Sequence, residues 1–155
     1  LVKLQKASSL AIYAVLELAA NPAHHLSGIE IAEKYGISAH HLAKVLRDLG
    51  RAGIVEAERG VGGGYRLSAN PKRLTLLDII RIFEPVGSQA DSEDNSTVST
   101  DAGRALGIVL DELNEHTVAT FHSITISTML KIMARRPRVE AADVTRALRK
   151  AASRR

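Results

Sequence analysis

The chain of 155 residues has no cysteine and no tryptophan. Without thiols it forms no disulfide, holds no zinc through thiolates and ligates no iron–sulfur cluster through cysteine. Its aromatic residues are Tyr13, Tyr35, Tyr65, Phe83 and Phe121, 3% of the chain. So few rings argue against a base-stacking platform for single strands, which needs several on one face. No apolar run approaches the roughly 18–20 residues that span a bilayer, and no stretch reads as a secretion signal. The expected compartment is the cytoplasm, with no membrane partner. The 45% hydrophobic and 25% charged content is that of a folded soluble protein. One core with some additional structure fits this length better than two full domains.

The net charge of +4 is a sum of unlike parts. Residues 1–86 carry +3, residues 87–134 carry −5 and residues 135–155 carry +6. Polyanion binding is one reading of the two basic parts. Solubility with a frayed basic tail is the other, and charge alone does not choose between them.

Helical spacing begins early. Ser8 or Ser9 is expected to cap a helix running to about Ala20, apolar nearly all round and so buried on several sides. Asn21-Pro22 ends it. Ser27-Gly28-Ile29-Glu30 fits a capping box for a short helix to Tyr35, and Gly36 suits the left-handed turn after it. Ser38 can cap the next helix, to about Ala52. Leu42, Val45, Leu46 and Leu49 form its apolar stripe, while His40, Lys44, Arg47 and Arg51 fall opposite. Ile54–Glu58 alternates like a strand, and Tyr65–Ser68 can pair with it. Between them Arg59-Gly60-Val61-Gly62-Gly63-Gly64 needs backbone turns that side chains forbid. No Gly-Lys-Ser/Thr follows, so this is not a nucleotide loop. Thr75-Leu76-Leu77-Asp78 opens another capped helix, ending at Pro85.

Four regions are expected: residues 1–86 as a DNA-binding domain, 87–101 as an acidic flexible loop, 102–134 as a long dimerisation helix, and 135–155 as a basic tail or helix. The pattern of Leu106, Leu110, Leu113, Thr117, Phe121 and Ile124 would make the long helix on the order of 45–50 Å. That exceeds the width of a small domain and points to packing against a second subunit. The Ser/Thr run from Thr117 to Thr128 weakens the case for one unbroken helix.

Helix, short helix, tight turn, basic-faced helix and glycine-tipped hairpin make a winged helix-turn-helix. The fold class is therefore mainly α with a small β-hairpin wing. A helix fits the major groove, and a hairpin beside it can lay an arginine into the narrow minor groove. At these residues the chain resembles the bacterial Rrf2 family of regulators, which includes the iron–sulfur cluster regulator and the nitric-oxide-sensitive repressor. The resemblance is carried by Ile31-Ala32-Glu33-Lys34-Tyr35-Gly36-Ile37-Ser38, by His41-Leu42-Ala43-Lys44-Val45-Leu46-Arg47-Asp48-Leu49 and by Ala52-Gly53-Ile54-Val55. Arg59-Gly60-Val61-Gly62-Gly63-Gly64-Tyr65-Arg66-Leu67, followed by Thr75-Leu76-Leu77-Asp78-Ile79-Ile80, is its most specific part. It covers roughly residues 5–86 and continues weakly in Leu113–Val118.

The resemblance implies a homodimeric transcription factor, usually a repressor, bound to a palindromic operator in double-stranded DNA. It places the minor-groove arginine at Arg59, with Gly62 and Gly63 shaping the wing. Recognition-helix contacts fall on Ser38, His40 and His41, with Lys44 and Arg47 as further candidates. Ser38 can equally serve as a cap alone, and His40 and His41 as solvated surface residues. Lys44 and Arg47 suit phosphates better than bases. The departure from the family is in the stretch Gly87–Asp101. Cluster-binding members carry three cysteines there; this chain has none, with Ser92, Ser96 and Ser99 in the region. No cofactor is expected. The six histidines offer no i, i+4 pair for zinc, the acidic loop lacks calcium-loop spacing, and no catalytic constellation stands out. The alternative reading is a winged-helix protein-interaction or architectural module. The polar stripe of residues 40–51 and Arg59 argue against it, because a protein-docking wing would show apolar residues there.

Overall fold

The computed structural model of the chain describes residues 3–86 and 100–135. Most of the acidic loop and the basic tail beyond Arg135 lie outside them. The described elements are α1 (Lys6–Ala20), α2 (Gly28–Tyr35), α3 (Ala39–Arg51), β1 (Val55–Glu58), β2 (Gly64–Leu67), α4 (Leu76–Phe83), α5 (Asp101–Ser123) and α6 (Ile126–Arg135). The mainly helical fold with one antiparallel hairpin agrees with the sequence reading.

The core is organised around α1. Leu10, Ala11, Ile12, Ala14, Val15, Leu16 and Leu18 are all buried. The helix packs on α3, α4, β2 and α6 at once, which is why its apolar residues run nearly all round. Its start differs from expectation. Gln5, not Ser8 or Ser9, holds the N-cap position, and its backbone N–H donates to the Glu84 carboxylate at 3.2 Å. Ser8 instead lies in the first turn, fully buried in the packed interior.

A buried carboxylate joins α1 to α2. Glu17 accepts hydrogen bonds from Lys34 Nζ at 2.9 Å and from Tyr35 Oη at 2.7 Å. Tyr13 stacks on Tyr35 with ring centres 5.2 Å apart. Burial, reinforced by the Glu17 carboxylate, pushes the Tyr35 phenol above its ordinary range. Only 6% of Glu17 is exposed, so a burial this costly for a charge is tolerated because both partners are present.

The helix caps follow the sequence closely. Ser27 and Glu30 form the capping box of α2, and the Ser27 N–H holds the Glu30 carboxyl below the usual carboxylate value. Gly36 takes the left-handed conformation that ends α2. Thr75 and Asp78 form the same box for α4. That helix ends at Phe83 with Glu84 as its cap, slightly before Pro85.

The pattern over 102–134 is two helices rather than one. Thr100 caps α5, whose 23 residues span about 34 Å. The chain then turns extended at Ile124, and Thr125 forms a β-bridge with Thr75. Leu76 N–H donates to Ile124 O at 2.9 Å and Ile126 N–H to Leu74 O at 2.9 Å. These bonds seat Ile126, 0% exposed, in the core beside α1. The Ser/Thr run assists the break. Thr117 and Thr120 hydroxyls donate to carbonyls one turn back, and Thr125 Oγ1 accepts from Thr128 N–H to start α6.

Ile126→Ala should lower unfolding free energy by roughly 2–5 kcal/mol, the range for truncating a buried isoleucine. Urea unfolding at fixed protein concentration measures it, and a change below about 0.5 kcal/mol would show that α6 is not anchored through this residue.

Candidate nucleic-acid interface

The α3 helix divides cleanly between core and solvent. Leu42, Val45, Leu46 and Leu49 are buried. Ser38, His40, Lys44, Arg47 and Arg51 are exposed, and His41 is half-buried. Four apolar anchors thus fix the helix and leave the opposite face polar. Ser38 does cap the helix: its Oγ accepts from the His41 N–H, at a long 3.4 Å. The hydroxyl hydrogen and second lone pair stay available to another group. Arg51 lies 3.6 Å from Asp48 on its own helix. Among the described residues His40, Lys44, Arg47 and Arg59 form no ion pair.

From α3 the chain runs directly into the hairpin. Val55 pairs with Leu67, Glu56 with Arg66, Ala57 with Tyr65 and Glu58 with Gly64. The strands are Val55–Glu58 and Gly64–Leu67, shifted at their ends from the expected Ile54–Glu58 and Tyr65–Ser68. Val55 is buried and anchors the base. Glu56 and Arg66 stand opposite each other and pair at 2.7 Å. A third backbone segment holds the hairpin: Tyr65 N–H donates to Leu26 O at 2.8 Å, and Leu26 N–H donates to Tyr65 O at 3.0 Å. His25 Nε2 lies 3.0 Å from Glu58 Oε2, a close electrostatic contact without a hydrogen bond. Sequence reasoning missed Leu26 and His25. They sit in a loop with no strand pattern, and only tertiary packing brings them to the wing.

The glycines act as the sequence reading expected. A Cβ at Gly63 would lie 2.3 Å from Glu58 O, so only glycine fits there. Gly63 N–H donates to Gly60 O at 3.0 Å, closing a four-residue turn with Val61 and Gly62 at its corners. Gly62 has φ +76, which gives the turn type II character. Arg59 stands exposed where β1 enters this turn.

An iron–sulfur cluster does not fit these residues. The chain has no cysteine, and among the described residues no three His, Asp or Glu side chains gather as a metal site requires. A cleft of about 370 Å³ between α4 and α5 is lined by Arg81, Val86, Asn114, Glu115, Val118 and Ala119. It brings together no nucleophile and general base. Among the described residues no helix is long and apolar enough to cross a membrane.

Comparison with known proteins now decides the family. The Rrf2 profile, described as an iron-dependent transcriptional regulator, matches residues 4–132. The chain belongs to the Rrf2 family. It is 48% identical over 132 residues to BadM of Rhodopseudomonas palustris, named as an HTH-type transcriptional regulator, covering 85% of this chain and 83% of that one. It is 40% identical over 84 residues to the HTH-type transcriptional regulator NsrR of Bacillus subtilis, covering 54% and 58%. Among solved structures it resembles CymR, the global cysteine regulator of B. subtilis, with TM-score 0.73 and 25% identity over 85% of this chain and 98% of that one. IscR of T. potens matches with TM-score 0.65 and 26% identity over 88% and 93%. This Rrf2 member is thus a winged-helix, DNA-binding transcriptional regulator, from a family of regulators and not of enzymes.

Gly63→Ala should displace the wing while leaving the helical core intact. We expect DNA affinity to fall at least as far as in Arg59→Ala, with the helical circular-dichroism signal unchanged. Wild-type affinity in this variant would show that the tip conformation does not matter.

Proposed function

We propose that this regulator works as a cytoplasmic homodimer and represses transcription by occupying a palindromic operator. The observation that carries the reading is the division of α3: an apolar face that is buried, and an exposed polar face on which His40, Lys44 and Arg47 form no ion pair among the described residues. The first turns of α3 enter the major groove. Ser38, His40 and His41 reach base edges, and Lys44 and Arg47 meet flanking phosphates. Arg59, carried at the hairpin tip, enters the adjacent minor groove, where narrow A·T-rich stretches concentrate negative potential. Gly62 and Gly63 give the wing the shape to do so.

The dimer is supported by α5. Leu106, Val109, Leu110 and Leu113 lie on one helix face at helical spacing and are 53–59% exposed. A stripe of this length is seldom left to water and suits a matching helix of a second copy. Two copies joined there present two α3 helices, and operator half-sites about one helical turn apart would receive them. Regulation follows from any ligand that binds one spacing of the two heads better than the other. With no thiolate in the chain, that signal does not act through a cysteine-held cluster.

Two measurements test this. Arg59→Ala should weaken operator binding by roughly 1–3 kcal/mol and relax preference at flanking A·T positions. Binding with equal strength to all duplex sequences in the wild type would instead favour an architectural role. Leu110→Glu should convert the dimer to monomers in analytical ultracentrifugation. A dimer of unchanged stability in that variant would move the interface off α5.

A further inference from the structure

We propose that Val61 is a second minor-groove reader: an apolar probe at the wing tip that selects A·T pairs by contact, beside Arg59, which selects them by charge. The proposal rests on the reading of the hairpin as a groove-entering wing and adds a specificity residue to it.

Val61 is 111% exposed, more open than in an extended peptide. Among residues 38–67 it is the only large apolar side chain that is exposed; the others on α3 and the hairpin are buried or partly buried. The turn does not ask for it. Val61 occupies the first corner of the Gly60–Gly63 turn, a position that accepts most residues and favours proline. Gly62, with φ +76, supplies the conformation the turn needs at its second corner. A β-branched apolar residue here gains nothing from the fold. It adds apolar surface at the point that leads the hairpin outward, where a solvated tip would be served by a polar side chain.

The minor groove supplies what the fold does not. Its walls are the C–H faces of deoxyribose. Over an A·T pair its floor shows only two acceptors and the adenine C2–H, while a G·C pair adds the guanine amino group. Valine methyls can pack against the sugars and the C2–H edge. Over guanine they would meet the amino group and deprive it of water, leaving a donor unsatisfied. The contact therefore discriminates by exclusion. Glycine on either side of Val61 keeps neighbouring side chains from holding the tip off the floor, and the pairing of Tyr65 with Leu26 fixes the base from which it projects.

The test uses the full chain and the operator recovered by selection from a random duplex pool. Binding of Val61→Ala and Val61→Thr is measured to that operator and to versions with single A·T to G·C changes under the wing. Because the Val61 side chain is fully exposed, both variants should melt with the wild type. Val61→Ala removes about two methyl groups' worth of contact and should bind roughly 3–10-fold more weakly. Its penalty for G·C at one or two flanking positions should shrink by a similar factor. Val61→Thr keeps the shape, replaces a methyl by a hydroxyl and should also weaken. Full affinity in Val61→Thr with loss in Val61→Ala would overturn the apolar chemistry. Wild-type affinity and base preference in Val61→Ala, together with a clear loss in Arg59→Ala, would remove Val61 alone. If Arg59→Ala is equally silent, the hairpin stays out of the groove and the reading beneath this proposal falls with it.

Discussion

Burial of α1 on nearly all sides is the constraint from which the rest of the molecule follows. Seven apolar residues of this one helix are inaccessible to water, and they touch α3, α4, β2 and α6. Each partner packs apolar side chains against it. For α3 the solvent-facing side is the cationic one. Because the stripe of Leu42, Val45, Leu46 and Leu49 is held by packing, the helix cannot roll about its axis without exposing it. That packing fixes the direction in which the polar face of the helix points. The Glu17–Lys34–Tyr35 cluster adds a directional lock between α1 and α2.

The wing follows a different rule. It is held by Val55 in the core and by backbone pairing with Leu26, and among the described residues no other segment hydrogen-bonds its Gly60–Gly63 tip. The tip conformation is set by what it lacks: no Cβ fits at Gly63, and Gly62 occupies a backbone region hostile to side chains. Anchored base and bare tip together place Arg59 and Val61 outward, away from every partner in the protein.

The segment after α4 leaves the core and comes back to it. The chain leaves the head, runs along α5 with an exposed apolar stripe, and returns to the head through Thr125 and Ile126. α5 packs on α4, and the residues that follow it are seated beside α1, so α5 is tied to the same core that holds α3.

Much of this was legible in the residues. The two capping boxes, the α3 stripe and its basic opposite face, the αL turn at Gly36 and the glycine-tipped hairpin all arise from local rules, in which the interacting groups lie within a few positions of one another. The candidate DNA-contacting residues were legible for the same reason, as one helix face and one turn. What lay beyond reach depended on partners far apart in the chain. Helical spacing continues through Ile124 and Thr125, and the local Ser/Thr run only weakens it; the break is fixed by Leu74, Thr75 and Leu76, about fifty residues upstream, whose backbone captures these residues. Pairing of Leu26 with Tyr65, the contact of His25 with Glu58 and the start of α1 at Lys6 are likewise set by distant groups. The sequence alone therefore determined the caps of α2, α3 and α4, the two faces of α3 and the glycine-tipped hairpin, because propensity and periodicity are short-range. The tertiary structure alone decided where the long helix ends and what holds the wing, because backbone hydrogen bonds between remote segments leave no trace in the spacing of side chains.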